Sequence, residues 1–444
     1  MASDDLDDLI KDLEGASPYT ATQKTSLPKG GKEITEPDQN PKPRIRKVSK
    51  MLRNNKNMEK YYEPRAVSIG LLHYGRDKFS LAEGHKLKLA ELFITENGVD
   101  EYGLHRKIKA KIVRLEQCYA EEDAKRVNIN DENLAWMFLI DGFALLNYIC
   151  YASLGKLNDL KKIGMDMEAF SQDLFLLENQ IPYEVLDDIM ANTAKGGANM
   201  RNLIDKFIDQ TVRDIRGSPL TSPSPTSTSP QQQQPPPAHL LQLLRNRLVG
   251  DHDHHKTNER EKTKTGKRVG RVNELKSAGI QLKSGTEGSL RDNISFASGT
   301  LTLPCLVVNG STAPKLLNLI AFEMSPDFQN DSQVITSYIF FLHSLIDQPD
   351  DVKELRKAHV LINNNNDNSV AGSDEEVVRL FKEIGSSDLD SIPEPEAYLR
   401  VKEQIQKHCE KKWKTRMTLF AFAAAAIAIL VMSFSSRLGA PALN

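Results

Sequence analysis

The chain has 444 residues, of which 39% are hydrophobic, and its formal net charge at pH 7 is −2. This length suits one large or two ordinary domains with linkers, and a total charge so close to zero gives no sign of a nucleic-acid-binding protein. Four cysteines, Cys118, Cys150, Cys305 and Cys409, lie far apart without any CxxC pair. That spacing excludes the common zinc and disulfide-framework patterns, and we interpret the cysteines as isolated thiols of a reducing compartment.

Residues 1–43 are rich in Gly, Pro, Thr, Lys and Glu without periodicity, and this composition predicts a disordered segment. One stretch at its start is an exception, because its apolar residues recur at the spacing of one helix face; these are Leu6, Leu9, Ile10 and Leu13. This short acidic helix is either a docking segment that folds on a partner or a solvated tail. The segment lacks the basic start and apolar run of a signal peptide.

Residues 44–216 are predicted to form the helical N-terminal part of the folded chain. Within it, Leu134–Ala152 is long and apolar enough to raise the question of a membrane span. Asp141 would lie near mid-bilayer there at a cost of about 3 kcal/mol, and no cations flank the stretch. We therefore predict a helix buried in a soluble core. In the later stretch Asp173–Met190, Pro182 forces a break in the helix.

Residues 217–271 are predicted to be a linker. A third of the chain's 21 prolines lie between Gly217 and Pro237, and such a stretch cannot bury a core. Its four Ser-Pro dipeptides are either phosphorylation sites or a by-product of composition. A short apolar helix is predicted at His239–Leu248. The histidines His252, His254 and His255 could bind a transition metal, but a linker offers them no fixed second shell, so no metal site is predicted.

The end of this linker carries a run of cations, namely Lys256, Arg260, Lys262, Lys264, Lys267, Arg268 and Arg271. They either contact an anionic cytosolic membrane leaflet or are simply solvated. Aromatic residues do not interleave with them, so base stacking and nucleic-acid binding are not predicted.

Residues 272–386 are predicted to form an α+β C-terminal part. Short strands are expected at Ile294–Phe296 and Leu301–Val308, and a strongly apolar helix at Val334–Ile346. Ser373 and Glu376 have the spacing of a capping box for a helix ending near Gly385. A charged juxtamembrane helix is predicted for residues 387–416. The predicted fold class is mainly α with a small β component, a helical body followed by one C-terminal transmembrane helix.

Residues 417–434 carry no charge, and as a helix they would extend for about 27 Å, close to the ~30 Å hydrocarbon core of a bilayer. A buried core helix is the alternative. Cations and a tryptophan at the N-terminal end favour a membrane anchor with an interfacial belt, formed by Lys411, Lys412, Trp413, Lys414 and Arg416. The anchoring residues predicted are Met417, Phe420, Phe422, Ile427, Ile429, Leu430, Val431 and Phe434.

The charge distribution also predicts sidedness. Cations stay on the cytosolic side of a membrane, so we expect a cytosolic body, with the tail of residues 435–444 on the other side of the plasma membrane or an endomembrane. Three N-x-[ST] sequons, at Asn293, Asn309 and Asn330, would be glycosylated in the opposite orientation. They therefore discriminate between the two topologies.

Motifs of common enzymes are missing from the sequence. It contains no GxxxxGK[ST] phosphate loop, no GxSxG elbow, no HExxH pair and no GxGxxG after a predicted strand. No catalytic residue, cofactor or small-molecule ligand is therefore predicted. The partners predicted are the lipid bilayer and unidentified proteins.

Several blocks in a fixed order resemble a known family. They are PRAVSIGLLHYG (64–75), EGHKL (83–87), WMFLIDGFALLNYI (136–149), DLFLLENQIPYEVL (173–186), LLNLIAFE (316–323), VITSYIFFLHSLIDQP (334–349) and residues 372–381. The chain resembles the plant family called domain of unknown function 247 from about Arg44 onward. Asn147 and Phe143 depart from it, since the family usually has Glu and Cys there. The resemblance implies a plant membrane protein and brings no established catalytic residues.

The ENQIPYEVL block has two interpretations. As a structural joint, it would pack Leu174, Leu177, Ile181 and Leu186 inward, while Glu178, Asn179 and Gln180 satisfy backbone groups where Pro182 interrupts the helix. As an active site, it would need an accessible pocket. We favour the joint and predict a single-pass, C-terminally anchored plant membrane protein that acts as an interaction or recognition module. The alternative is a membrane-tethered enzyme of an unrecognised class.

Overall fold

The computed structural model describes residues 44–53, 56–124, 129–194, 196–217, 236–250, 269–285, 290–291, 293–328, 333–362, 372–385 and 396–438. For residues 433–438 it describes the backbone alone. Several sequence predictions lie outside these residues: the acidic helix within 1–43, the Ser-Pro stretch after Gly217, the three linker histidines, the basic run before Val269, and Asn330.

The N-terminal part is built from helices. They are α1 (Lys50–Arg53), α2 (Lys56–Glu59), α3 (Ser80–Asn97), α4 (Glu101–Ala110), α5 (Ile112–Glu116), α6 (Glu121–Ala124), α7 (Asp131–Ser153), α8 (Met167–Asp173), α9 (Tyr183–Ala191) and α10 (Gly197–Arg216), with 3-10 turns at Asp77–Phe79 and Leu157–Ile163. The long helix α7 is central, because α3, α4, α9 and α10 all pack against it.

The surroundings of helix α7 show whether the apolar stretch Leu134–Ala152 is a core helix or a membrane span. Two helices among the described residues are long and apolar enough to cross a bilayer, Asp131–Ser153 and Tyr398–Met432. In α7, 89% of the most apolar stretch is buried inside the protein. It is therefore the buried core helix that the sequence predicted, and its Asp141 is satisfied by protein groups.

The C-terminal part combines helices with two small sheets. Its elements are α11 (Leu240–Val249), α12 (Val272–Ser277), β1 (Gln281–Gly285), β2 (Ser295–Ala297), β3 (Thr300–Pro304), β4 (Leu306–Val307), α13 (Thr312–Glu323), α14 (Val334–Leu345), α15 (Pro349–Lys357), β5 (Leu361–Ile362), α16 (Asp374–Gly385) and α17 (Glu396–Leu438). The fold is mainly helical with few strands, as predicted. Half of the predicted Ser373–Glu376 capping box forms, because the Glu376 N–H donates to Ser373 Oγ, while the Glu376 carboxylate accepts from the N–H of Gly372 instead of that of Ser373.

The larger sheet has the strand order β1–β3–β2. Strand β1 runs parallel to β3, and β2 runs antiparallel to it, with Phe296 opposite Leu301. The smaller sheet pairs β4 with β5 in parallel. Both sheets have only a few residues per strand, so their hydrogen bonds alone cannot stabilise them and they depend on packing against helices.

The two parts share one hydrophobic core rather than forming separate domains. The amide of Asn318 in α13 accepts from the backbone N–H of Leu177 and donates to the carbonyl of Tyr61. A second link is the buried hydrogen bond that the N–H of Leu241 in α11 donates to the side-chain oxygen of Gln180 (3.1 Å). Hydrogen bonds and apolar packing therefore join residues far apart in sequence into one unit, called the body below (the described residues 44–385).

This shared core leads to a prediction about limited proteolysis. A broad-specificity protease should cut first between Gly217 and Pro237, since a Pro- and Ser-rich sequence cannot bury itself. The two fragments should nevertheless co-elute in size-exclusion chromatography, because they share one core. Early cleavage between residues 134 and 190, or separation of the fragments without denaturant, would contradict this architecture.

Candidate functional site

The ENQIPYEVL block forms a buried loop between two helices. Helix α8 ends at Asp173, and α9 begins at Tyr183 with Pro182 in the N-cap position. The predicted break is therefore real, but it extends over all of residues 174–182 rather than a single point. The polar residues of this loop, Glu178, Asn179 and Gln180, are at most 2% exposed, so each of their polar atoms needs a partner inside the protein.

Asn179 and Gln180 supply those partners to backbone that no helix or sheet satisfies. Asn179 accepts from the N–H of Ile69 (2.7 Å) and donates to the carbonyls of Val67 and Asp173. Gln180 donates to carbonyls of its own loop and accepts from the N–H of Leu241, at the start of α11. These amides thus join the segment before α3, the loop itself and the C-terminal part.

Glu178 connects the loop to the N-terminal segment that precedes α1. Its carboxylate accepts from the N–H of Val48 (2.7 Å) and from Arg53 Nη2 (2.7 Å), and it lies 3.2 Å from His73 Nε2. Burial by itself would raise the pKa of Glu178, but the adjacent His73 ring and the charge of Arg53 outweigh burial and lower that pKa. Glu178 therefore remains ionised and paired in the folded protein at neutral pH.

Glu63, His73 and Glu178 place one potential metal-ligand atom each within 4.8 Å of one another. The carboxylates already have cationic partners, however. Arg53 contacts both of them, and Arg76 Nη1 and Lys78 Nζ lie 3.0 and 3.2 Å from Glu63. Three cations around two carboxylates repel a divalent ion, so this cluster is better suited to an ion-pair network than to a metal centre.

Gly70, in the PRAVSIGLLHYG block, lies against the loop. Its φ is +74°, and a Cβ built on it would lie 2.2 Å from the carbonyl oxygen of Gln180 and 2.6 Å from the Tyr119 hydroxyl. Only glycine fits this position, because both the backbone conformation and the space exclude a side chain. Its N–H donates to Asp141 in the central helix α7 (2.7 Å).

Asp141 belongs to a second buried network. Lys86 in α3 donates to Asp141, to the carbonyl of Ser68 (2.8 Å) and to Glu83 (2.9 Å), and both Lys86 and Asp141 are 1% exposed. Burial opposes the charge on Lys86, but its two carboxylate partners outweigh burial and raise its pKa. Burial also raises the pKa of Asp141, and the nearby charge of Glu83 adds to that effect.

The residues that depart from the family pattern have structural roles in this chain. Asn147 is buried, and its Nδ2 donates to the carbonyl of Leu89 (2.6 Å). Phe143 stacks on Phe93 with ring centroids 5.7 Å apart. Both side chains attach α7 to α3, so neither is available at a surface.

The C-terminal helix α17 has a packed half and an exposed half. Tyr398, Val401 and Ile405 are 1%, 4% and 1% exposed, and they pack on the body. Sequence reasoning missed this docking, although the spacing i, i+3, i+7 was a visible signal of one buried face. The predicted boundary between a juxtamembrane helix and a transmembrane helix is not a break, because α17 is continuous from Glu396 to Leu438.

The exposed half contains every predicted anchor residue. None of its most apolar stretch is buried inside the protein, although its mean hydropathy is 2.0. Phe420 and Phe422 are 71% and 75% exposed, and the other described side chains of the set are exposed too; these are Met417, Ile427, Ile429, Leu430 and Val431. Phe434 lies in the same helix. The predicted interfacial residues are also exposed, just before this apolar stretch in α17; they are Lys411, Lys412, Trp413, Lys414 and Arg416.

A cavity of about 260 Å³ lies where the two parts of the body meet. Its lining includes Lys60, Tyr61, Arg379, Glu376 and Glu383. Neither Glu178 nor Asp141 lines it, so the buried networks and the cavity are separate features.

Two of the three sequons can be examined in the structure. The Asn309 side chain is 7% exposed and accepts from the N–H groups of Ser311 and Thr312 at the start of α13. Asn309 thus caps the start of α13. The Nδ2 atom of Asn293 is buried. A glycan on either nitrogen would require local unfolding.

Comparison with known proteins identifies the family. The family model described as "Plant protein of unknown function" (DUF247) matches residues 45–434. The chain belongs to this family. The match includes both buried networks and the exposed apolar stretch of α17, so the predicted resemblance is confirmed over nearly the whole chain.

Two relatives from Arabidopsis thaliana bear similar names. A UPF0481 protein is 25% identical over 355 residues, which are 73% of this chain and 69% of that protein. A putative UPF0481 protein is 28% identical over 127 residues, 28% of this chain and 23% of that protein. No solved structure matches the chain. Neither relative's name states an activity.

The role of Glu178 predicts a pH-dependent change in stability. Because its pKa is lowered in the folded protein, its contribution is present above the unfolded pKa of about 4.3 and is lost as pH falls through the folded value. Glu178→Gln should lower the free energy of unfolding at pH 7 by about 2 kcal/mol and reduce its decline between pH 5 and pH 3. Urea unfolding of the full chain in detergent, followed by circular dichroism, measures both.

Glu132→Gln serves as the control, because Glu132 forms a surface pair with Lys109 and such pairs contribute little. If Glu178→Gln and Glu132→Gln lowered the free energy of unfolding equally, Glu178 would not have the proposed structural role in the buried loop.

Gly70 and Gly75 form a matched pair for a second test. Both have positive φ, but a Cβ on Gly75 would meet no atom within 4 Å. Gly75→Ala should therefore incur only the backbone cost of about 1 kcal/mol. Gly70→Ala should lower the free energy of unfolding by about 2 kcal/mol more, since the methyl group clashes with the backbone of Gln180. If urea unfolding gave similar decreases in the free energy of unfolding for the two variants, the loop would be able to move and accommodate a methyl group at Gly70.

Proposed function

We propose that the protein is a single-pass membrane protein in which the second half of α17 anchors a folded protein-interaction module at a bilayer surface. The observation that carries the proposal is the exposed apolar surface between Met417 and Met432, with hydropathy 2.0 and no buried share. A water-soluble protein that left this stretch uncovered would expose a large contiguous apolar patch, which soluble monomers rarely do. A bilayer would cover it.

The dimensions and the flanking residues support a spanning helix. Residues 417–434 rise about 27 Å along a helix axis, close to the ~30 Å hydrocarbon thickness. Trp413 is 67% exposed and lies among cations, an arrangement that places the ring and the charges at the headgroups. The helix is continuous through this region, so its backbone N–H and C=O groups are satisfied without water.

A cytosolic body is the proposed orientation. The cations lie on the body's side of the apolar stretch, which is the side that remains cytosolic. Burial of Asn293 Nδ2 and the capping role of Asn309 support the same topology. A chain folding in the secretory lumen would receive glycans there before folding, and these would oppose formation of the body.

The polar networks favour an interaction module over an enzyme. The carboxyl groups whose pKa is raised by burial, Asp141, Asp173 and Glu323, lie in buried networks that connect helices and loops. At the surface, Tyr102 is 51% exposed and packs edge-on against Trp136, which stacks on His105. Trp136 is half-buried and supports Tyr102 from below. Exposed Tyr side chains are typical of protein contact sites, and we propose this aromatic cluster as a partner contact.

A membrane-tethered enzyme is the second candidate. The cavity between the two parts of the body favours it, because cationic and anionic side chains converge there: Lys60, Arg379, Glu376 and Glu383. At about 260 Å³ it is slightly below the usual range for ligand sites, about 300–1,000 Å³. Turnover that disappears in Arg379→Ala, with unchanged membrane attachment, would favour the enzyme.

The anchor is tested by two variants of matched charge. Ala425→Arg combined with Ile427→Arg places two cations at mid-span, at a cost of about 3 kcal/mol each. This variant, like deletion of residues 415–444, should move the protein from the carbonate-resistant membrane fraction to the soluble fraction. Glu403→Arg, on the exposed face of the packed half, should remain in the membrane. If the double arginine variant remained in the membrane together with Glu403→Arg, the proposed anchor would be refuted.

Recognition is tested by proximity labelling with the full chain in plant cells. Tyr102→Ala should lose a defined set of labelled neighbours, while Leu81→Ala, which removes an apolar side chain that is 74% exposed, should keep them. Equal membrane yield of the two variants is the control. An identical neighbour set for both variants and the unmodified chain would contradict the role of the aromatic cluster.

A further inference from the structure

Contacts along α17 set the direction in which the body faces the membrane. Nearest the helix start, the Tyr398 hydroxyl donates to the carbonyl of Leu290 (3.3 Å). Further along, the His408 ring packs edge-on against Phe296 with ring centroids 5.5 Å apart. Last, a Cβ built on Gly279 would lie 3.7 Å from Lys412 Nζ. Leu290, Phe296 and Gly279 are therefore progressively closer to the apolar end of the helix.

The helical rise converts these contacts into heights. At 1.5 Å per residue, Tyr398 lies about 28 Å before Met417, His408 about 14 Å and Lys412 about 8 Å. The headgroup layer on each side of a bilayer is about 5–8 Å thick. A typical tilt of about 20° shortens these heights by less than a tenth. The edge of the body beside these residues thus extends from the outer boundary of the headgroups, at Lys412, to about 6 Å outside that boundary, at His408.

The connection between this edge and the membrane is rigid. The sequence between Tyr398 and Met417 contains neither glycine nor proline, and kinks in helices arise chiefly at such residues. Packing of Tyr398, Val401 and Ile405 attaches the same helix to the body. The body therefore cannot swing away from the bilayer unless this packing breaks.

The composition of the edge suits an anionic surface. Its two segments, residues 276–281 and 295–302, contain no Asp or Glu. Lys276 lies in the first segment, where it pairs with Glu354. Lys412 of α17 lies beside Gly279, and Lys411 and Lys414 of the same helix are exposed. Glu410 is an exposed acid among these lysines. Cations this close to a membrane are within about one Debye length, ~8 Å, of its charged lipids.

We propose that residues 276–279 and the turn at 298–299 form a lipid-facing edge, which holds the body against anionic phospholipid headgroups. This inference rests on the proposed membrane anchor and adds a fixed orientation to it. The start of β1 at Gln281 and the turn after β2 lie on the side of the body nearer the bilayer. Leu290 and Phe341 lie on the side farther from it. The edge acts by proximity and charge and requires no insertion into the hydrocarbon.

The test uses the full chain in vesicles of phosphatidylcholine and phosphatidylserine that carry a nitroxide quencher on the lipid headgroup. A genetically encoded fluorescent amino acid replaces Ser277 or Ala297, both exposed and without positive φ. Trp413 is the positive control position. Glu403 is the negative one, because it is exposed on the same helix about 21 Å before Met417.

We expect several-fold stronger quenching at Ser277 and Ala297 than at Glu403, approaching that at Trp413, and a decrease at Ser277 when phosphatidylserine is omitted. Quenching at Trp413 alone would overturn the lipid-facing edge and leave the anchor intact. Absence of quenching at Trp413, together with loss of vesicle flotation, would overturn the anchor and with it this inference.

Discussion

The fold depends on satisfying a stretch of buried backbone that belongs to no helix or sheet. Residues 174–182 pass through the centre of the body, where water cannot supply hydrogen bonds. Glu178, Asn179 and Gln180 replace that water, and through them the loop is tied to Val48, Ile69 and Leu241. Because these three partners come from distant parts of the chain, the N-terminal segment and the C-terminal part cannot dissociate from the loop independently.

The same network explains why the ENQIPYEVL block is polar yet carries no evident chemistry. The Glu178 carboxylate lies against Arg53, His73 and a backbone N–H, and it does not line the cavity. Gly70 adds a steric requirement, since Gln180 occupies the space of its missing side chain. Matched blocks far apart in sequence thus contact one another, so their resemblance to the family reflects one shared joint.

The helix α17 combines two environments in one element. Its first half is stabilised by burial of Tyr398, Val401 and Ile405, each contributing about 1.5–3 kcal/mol of apolar transfer energy at most. None of the most apolar stretch in its second half is buried inside the protein. One continuous helix thus packs on the body with its first half and carries the exposed apolar stretch in its second half.

The sequence by itself determined the central helix, the break at Pro182, the apolar stretch 417–434 and the family, because periodicity, proline and charge act locally. It did not reveal the length of the buried loop, the pairing of Lys86 with Asp141, or the docking of α17. Whether an apolar helix is a core element or an exposed one was decided only by tertiary structure: α7 and α17 are both long and apolar, and one is 89% buried while the other is uncovered. The physical reason is that burial depends on which surfaces meet, and contacts such as Leu177 with Asn318 join residues that no local pattern relates.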